Sequence, residues 1–162
     1  MLNKLSSYNL FNNLLPGILF AILASKLTRY SFIQPDIIIG VFLYYFIGIV
    51  ISRFGSLIIE PALKRVSFLR FADYKDYISA SKADETIEIL SEVNNMYRTL
   101  CSLLVIILLL KIYQEVASKF PLLEEWGLII LYGLLLVMFL ASYRKQTNYI
   151  TKRIVAIKLK SQ

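Results

Sequence analysis

Histidine is absent from the sequence, and with it the commonest general base and the commonest metal ligand. The carboxylates show no metal-ligand spacing, and there is no glycine-rich loop of the kind that cradles phosphates. The single cysteine, Cys101, cannot close a disulfide within the chain, has no visible base to activate it, and leaves the redox compartment unread. Tyr74, Lys75, Asp76 and Tyr77 gather titratable groups, but in the pattern of a solvated surface. These absences argue against an enzyme, and no cofactor or metal is expected. Glycine and proline are both missing from residues 62–120, which argues against a run of loops there. No repeat and no low-complexity tract interrupts the chain. The first residues carry Lys4 without a clean small-residue cleavage site, so the first apolar run is expected to be retained.

Acidic residues are scarce as well: 11 Asp and Glu stand against 18 Lys and Arg, a net charge of +7. The basic residues flank apolar runs, as topology signals do, so the charge points to lipid head groups and no nucleic-acid partner is expected. What abounds is hydrophobe. Apolar residues make up 57% of the chain, where a soluble domain has about 45–50%. The mean hydropathy is +0.63. That excess needs a cover other than water, and hydrocarbon is the simplest one. Aromatics reach 14% and fall where interfacial belts would lie, near Tyr8–Phe11, Tyr30–Phe32, Tyr113, Trp126 and Tyr143.

A span needs roughly 20 apolar residues. Four candidates emerge, at about residues 12–30, 35–59, 96–113 and 126–143. In the first, Asn12 or Asn13 reads as a cap, with Pro16 and Gly17 in the first turns. In the second, Pro35 suits the first helical position, Asp36 the first turn, and Pro61 the stop. The third is fully uncharged only from Thr99 to Leu110, so Arg98 and Lys111 must snorkel to opposite surfaces. The fourth opens with Pro121 and Glu124 and closes at Arg144. With the N-terminus inside, Lys26, Arg29, Lys111 and Lys119 fall outside and the rest of the 18 basic residues fall inside. Both termini are therefore expected in the cytoplasm, in a bacterial inner membrane. The expected fold is all-α: a polytopic membrane protein of four transmembrane helices, with a small helical cytoplasmic extension from residues 62–95 and 144–162.

That extension has its own patterning. From Asp84, with Asp84 or Ser81 as cap, one helix is expected to run straight into the membrane. Ile87, Leu90, Val93, Tyr97 and Leu100 form one face, and Glu85, Glu88, Glu92 and Asn95 another. Residues 64–81 are expected to fold against it. In the tail, Ile150, Ile154 and Ile157 form a stripe that can pack on this bundle, the favoured reading, or lie on anionic lipid.

Three constellations stand out. Gly40, Gly48, Ser52 and Gly55 (or Ser56) share a face of the second span, and small residues there admit a close helix from the same subunit or from another. Ser91, Asn95, Arg98 and Ser102 form a polar stripe entering the third span, giving way to Val105 or Ile106 and then Leu109. The plain reading makes Arg98 an interfacial anchor that reaches phosphate or pairs with Glu60 or Glu92. The sharper one makes the stripe a pore mouth above an apolar constriction. Arg53 and Glu60 share a helix face at the inner end of the second span, where an ion pair would hold neighbouring helices.

The NNLLPG opening (residues 12–17), the NNMYRT entry to the third span (residues 94–99), the four spans and the basic tail together resemble, in layout, the small four-span membrane effectors of bacterial anti-phage defence systems. The resemblance covers the chain as a pattern and carries over no functional residue. It implies an inner-membrane homo-oligomer that permeabilises or depolarises the membrane when triggered by a cytoplasmic protein partner. The alternative is a non-conducting scaffold that anchors a soluble partner through residues 62–95 and the tail. A transporter is disfavoured, because the sequence shows no internal symmetry and no pair of discontinuous helices.

Overall fold

Helices supply all the regular structure among the described residues of the computed structural model, which cover 2–158, with side chains from 12 to 157. They are α1 (Leu2–Leu27), α2 (Ile37–Phe54), a π-helical turn π1 (Gly55–Ile59), α3 (Glu60–Arg65), α4 (Tyr74–Ala83), α5 (Thr86–Ala117) and α6 (Pro121–Lys158). Three segments are long and apolar enough to cross a membrane: Ile37–Arg65, Thr86–Ala117 and Pro121–Ile157. The fourth apolar stretch, Asn12–Leu27, is shorter. The expected aromatic belt at Tyr8–Phe11 and the basic residues Lys4, Lys158 and Lys160 lie outside the residues whose side chains are described.

Two prolines act differently from expectation. Proline lacks an N–H and its ring crowds the carbonyl four residues back, so it usually ends a helix. The chain nevertheless runs helically through Pro61, because π1 widens the turn just before it. The Glu60 N–H reaches back five residues to the Gly55 carbonyl. That leaves the Ser56 carbonyl without a helical donor, since Glu60 is engaged and Pro61 has none to give. Likewise α1 begins at Leu2, so Asn12 and Asn13 do not cap it and Pro16 sits inside the helix, fully buried. Pro16 offers no N–H to the Asn12 carbonyl.

Helix starts elsewhere follow the chemistry of caps. Asp36 is the N-cap of α2 rather than part of its first turn, and its carboxylate accepts from the Ile39 N–H at 2.9 Å. α5 has Glu85 at its N-cap, not Asp84 or Ser81, but the Asp84 carboxylate one residue before it accepts from the Thr86 N–H at 2.9 Å. The Thr86 hydroxyl and amide together hold the Asp84 carboxyl below its ordinary value. This contribution is therefore present at neutral pH and is lost as pH falls through the lowered value.

The core is small and lies among α1, α2 and α5. Phe20, Ala24, Ile51, Leu103 and Ile107 form it. Backbones approach closely to build it. A Cβ on Gly48 would collide with the Asn13 carbonyl, and one on Gly17 with the Tyr44 carbonyl. At the start of π1, a Cβ on Gly55 would strike the Ser102 hydroxyl and lie 3.2 Å from Arg98 Cγ. At one end of the bundle, the α1–α2 loop is tied to the α5–α6 turn. The Arg29 N–H donates to Gln114 Oε1 at 2.8 Å, the Arg29 guanidinium pairs with Glu124 at 3.0 Å, and Tyr113 donates to the Leu123 carbonyl at 2.8 Å. Phe32 folds back from that loop onto Phe20, ring centroids 5.4 Å apart.

α6 stands at the periphery, touching α2 through the Phe46–Phe139 ring pair. Only 6% of its most apolar window is buried. Leu128, Leu131, Leu134 and Val137 all face outward, an apolar surface far beyond what a soluble monomer presents. The tail differs from the favoured reading. Ile150, Ile154 and Ile157 stay about half exposed instead of packing on the bundle. α4 meets α6 on a different face, through Tyr74 and Tyr149 (6.1 Å), which leaves the isoleucine stripe uncovered.

The glycine contacts generate a paired prediction. Gly48→Leu should lower stability in detergent by about 1–3 kcal/mol or more, since the side chain must displace a backbone. Gly133→Leu, where a Cβ meets nothing within 4 Å, should be neutral or stabilising by up to about 1 kcal/mol through helix propensity. Thermal unfolding of the two variants side by side checks this.

Candidate functional site

The end of the bundle opposite the α1–α2 loop contains a polar cavity of about 650 Å³. α1 lends it Asn12 and Asn13, α2 with π1 lends Ser52, Arg53 and Ser56, and α3 lends Glu60 and Lys64. Ser91, Asn94, Asn95, Arg98 and Thr99 come from α5, and Lys145, Gln146, Tyr149 and Lys152 from α6. α4 and the segment before it close one side with Phe71, Tyr74 and Tyr77. Arg53, Lys64, Arg98, Lys145 and Lys152 line the cavity together with a single carboxylate, Glu60.

Glu60 is the hub. It is buried, with one oxygen 3.0 Å from Lys64 Nζ and the other 2.7 Å from Arg98 Nη1. Arg98 thus links α5 to α3 across 38 positions of sequence. Its Nε is buried and has no hydrogen-bond partner. The π-turn creates the second tie. Lys145 donates to the Ser56 carbonyl at 2.6 Å and to its hydroxyl at 2.7 Å, giving the orphaned carbonyl the donor that Pro61 cannot supply. Lys64 also lies 4.0 Å above the Phe71 ring.

The sequence-derived candidates divide. Ser91, Asn95 and Arg98 line the cavity, inside one subunit. Ser102 does not: it is wholly buried against Gly55, and its hydroxyl donates to the Arg98 carbonyl at 2.6 Å. Gly48 and Gly55 meet α1 and α5 of the same chain, Ser52 lines the cavity, and Gly40 faces Tyr44 of its own helix and Gln34. Glu60 pairs with Arg98 and Lys64. Among the described residues Arg53 and Glu92 take part in no ion pair. Sequence reasoning missed Gly17, Asn12, Asn13, Lys64, Lys145 and Lys152 as site or packing residues. Lys64 was within reach, four residues after Glu60 on one helix. Lys145 was not, because its partner Ser56 lies 89 positions away.

No family model, no curated protein and no solved structure matches the chain. Among the described residues no group of acidic or sulfur ligands could hold a metal ion. The site's chemistry is that of a fixed cluster of positive charge with amide and hydroxyl donors.

Charge counting predicts unequal costs. Glu60→Gln should destabilise by about 3 kcal/mol, because it strands Arg98 and Lys64 among like charges. Arg98→Gln should cost less, since Glu60 keeps Lys64 and the remaining repulsion falls. Denaturant unfolding in micelles measures both, and a larger loss for Arg98→Gln contradicts the account.

Proposed function

We propose that this chain is a multi-pass, homo-oligomeric membrane protein that breaches the bilayer as a pore-forming or membrane-disrupting effector when its cytoplasmic part is triggered. One observation supports the reading above all others: polar lining gives way to apolar core along three helices of one bundle. On α1 the change falls between Asn13 and Pro16, on α2 between Ser52 and Ile51, and on α5 between Thr99 and Leu103. From Arg98 to Lys111 is ~20 Å of helix at 1.5 Å per residue. The hydrocarbon layer is ~30 Å thick, so the cavity reaches into it and a thinner apolar plug remains. Ile51, Leu103 and Ile107 make up that plug, and apolar constrictions of this kind gate by dewetting.

The basic bias assigns the cavity end to the cytoplasm of a bacterial inner membrane, with both termini there. The apolar part of α1, Asn12–Leu27, is ~24 Å long and would complete a four-span bundle where the bilayer thins around it. The bare outer face of α6 offers a surface for further copies. A second reading, a non-conducting scaffold, is favoured by one feature: Leu90, Val93 and Tyr97 of the α5 extension remain exposed, as a docking face for a soluble partner would.

Expression in cells carrying a potential-sensitive dye separates the two. The effector reading expects depolarisation, accelerated several-fold by Leu103→Ser, which makes the plug polar. Fully polarised cells from which a soluble protein co-purifies with the chain contradict it in favour of the scaffold.

A further inference from the structure

The cavity carries more positive charge than the fold can use. Glu60 engages Lys64 and Arg98, and Lys145 is held by Ser56. Arg53 and Lys152 line the same space without an ion pair among the described residues. Five cations against one carboxylate leave a net +4 along the lining, with Arg53 and Lys152 at its exposed rim, and a concave surface of one sign concentrates counter-ions. A structural network would balance its charges. A receptor for an anion would not.

We propose that this cavity binds a phosphate-bearing organic anion. The volume excludes a simple inorganic ion as the full occupant: about 650 Å³ lies within the range of ~300–1,000 Å³ typical of small-molecule sites. The lining offers cations for a phosphate and, interleaved with them, aromatic faces for a larger body. Arg98 presents a guanidinium with an unpartnered Nε, and Arg53 a second fork suited to phosphate oxygens. The asparagines of α1 and α5 add neutral donors. Phe71, Tyr74 and Tyr149 form an aromatic wall for a ring or an acyl-glycerol body. Two sources share this chemistry: a soluble organic phosphate, and an anionic phospholipid head group entering from the bilayer surface. Binding would add negative charge beside Glu60 and compete for Arg98, the link between α3 and α5. The site stands whether or not the protein conducts, because its argument rests on the charge and size of the lining.

The test uses the full chain, purified in a neutral detergent, with unfolding followed by Trp126 fluorescence. ATP and inorganic pyrophosphate are titrated against sodium chloride at matched ionic strength. In parallel, nanodiscs of phosphatidylglycerol are compared with nanodiscs of phosphatidylcholine. The double variant Arg53→Gln/Lys152→Gln removes two unpaired cations and relieves repulsion, so it should fold. Saturable stabilisation by ATP, tighter than that by pyrophosphate and weakened about tenfold or more in the variant, identifies a soluble organic phosphate, and equal binding of the two overturns the organic body. Stabilisation by phosphatidylglycerol alone, lost in the variant, identifies a head group. No stabilisation beyond the salt control in any arm, or equal stabilisation of wild type and variant, overturns the proposal. Leakage is not read here, so a failed binding test leaves the pore reading intact and a failed depolarisation test leaves this one intact.

Discussion

A single carboxylate, Glu60, lies where α3, α5 and α6 bring their cations together, and the polar end of the bundle depends on it. Two unit charges 4 Å apart interact by about 4 kcal/mol at an effective dielectric of 20. Without Glu60, Arg98 and Lys64 would face each other and Lys145 unscreened. With it, one buried group joins two helices, while the widened turn one step earlier recruits a third through Lys145. The π-turn and the ion pair are thus coupled. Pro61 requires the wider turn, the wider turn frees the Ser56 carbonyl, and that carbonyl anchors α6 beside Glu60.

The opposite constraint acts on the outside. Most large apolar side chains of α6 point away from the chain, and the true core is confined to a few residues on three helices. In hydrocarbon, apolar burial gives little drive for helices to associate, because acyl chains are as apolar as leucine. Association rests on close backbone approach and on hydrogen bonds instead. Gly17 and Gly48 supply the first between α1 and α2. Glu60, Arg98, Lys145 and Ser56 supply the second between α3, α5, π1 and α6. One device therefore tightens the apolar half of the bundle and another the polar half, and the cavity opens between them.

How much of this was legible in the sequence follows from whether a signal was local. Long apolar runs announced four spans, of which three are membrane-length helices, and Asp84 was readable as a donor-satisfying residue at the start of α5 because its partner is two residues away, although Glu85 takes the cap position. The stripe on α5 gave Ser91, Asn95 and Arg98 from helical spacing alone. Ser102 fits the same spacing and yet belongs to packing, since only the position of Gly55 decides which way that surface is covered. Pro61 and Pro16 misled for one reason. Each follows the usual rule for a helix boundary, yet Pro61 is carried through by the π-turn just before it and Pro16 lies buried well inside α1, which starts at Leu2. Lys145 and Lys152 read as ordinary basic residues after a span. Their role depends on α6 continuing as one 38-residue helix past the cavity, a matter of tertiary placement.

The most direct test of the account asks whether water and anions reach the cavity at membrane depth. Ser52→Cys in a Cys101→Ser background places one thiol on the lining, in membranes, beside Arg53. The account predicts that a sulfonate-bearing thiosulfonate modifies it roughly tenfold faster than a trimethylammonium thiosulfonate does, as a field of net positive charge requires. A thiol that neither reagent reaches, or one that prefers the cation, would contradict a solvated, electropositive cavity built around Glu60.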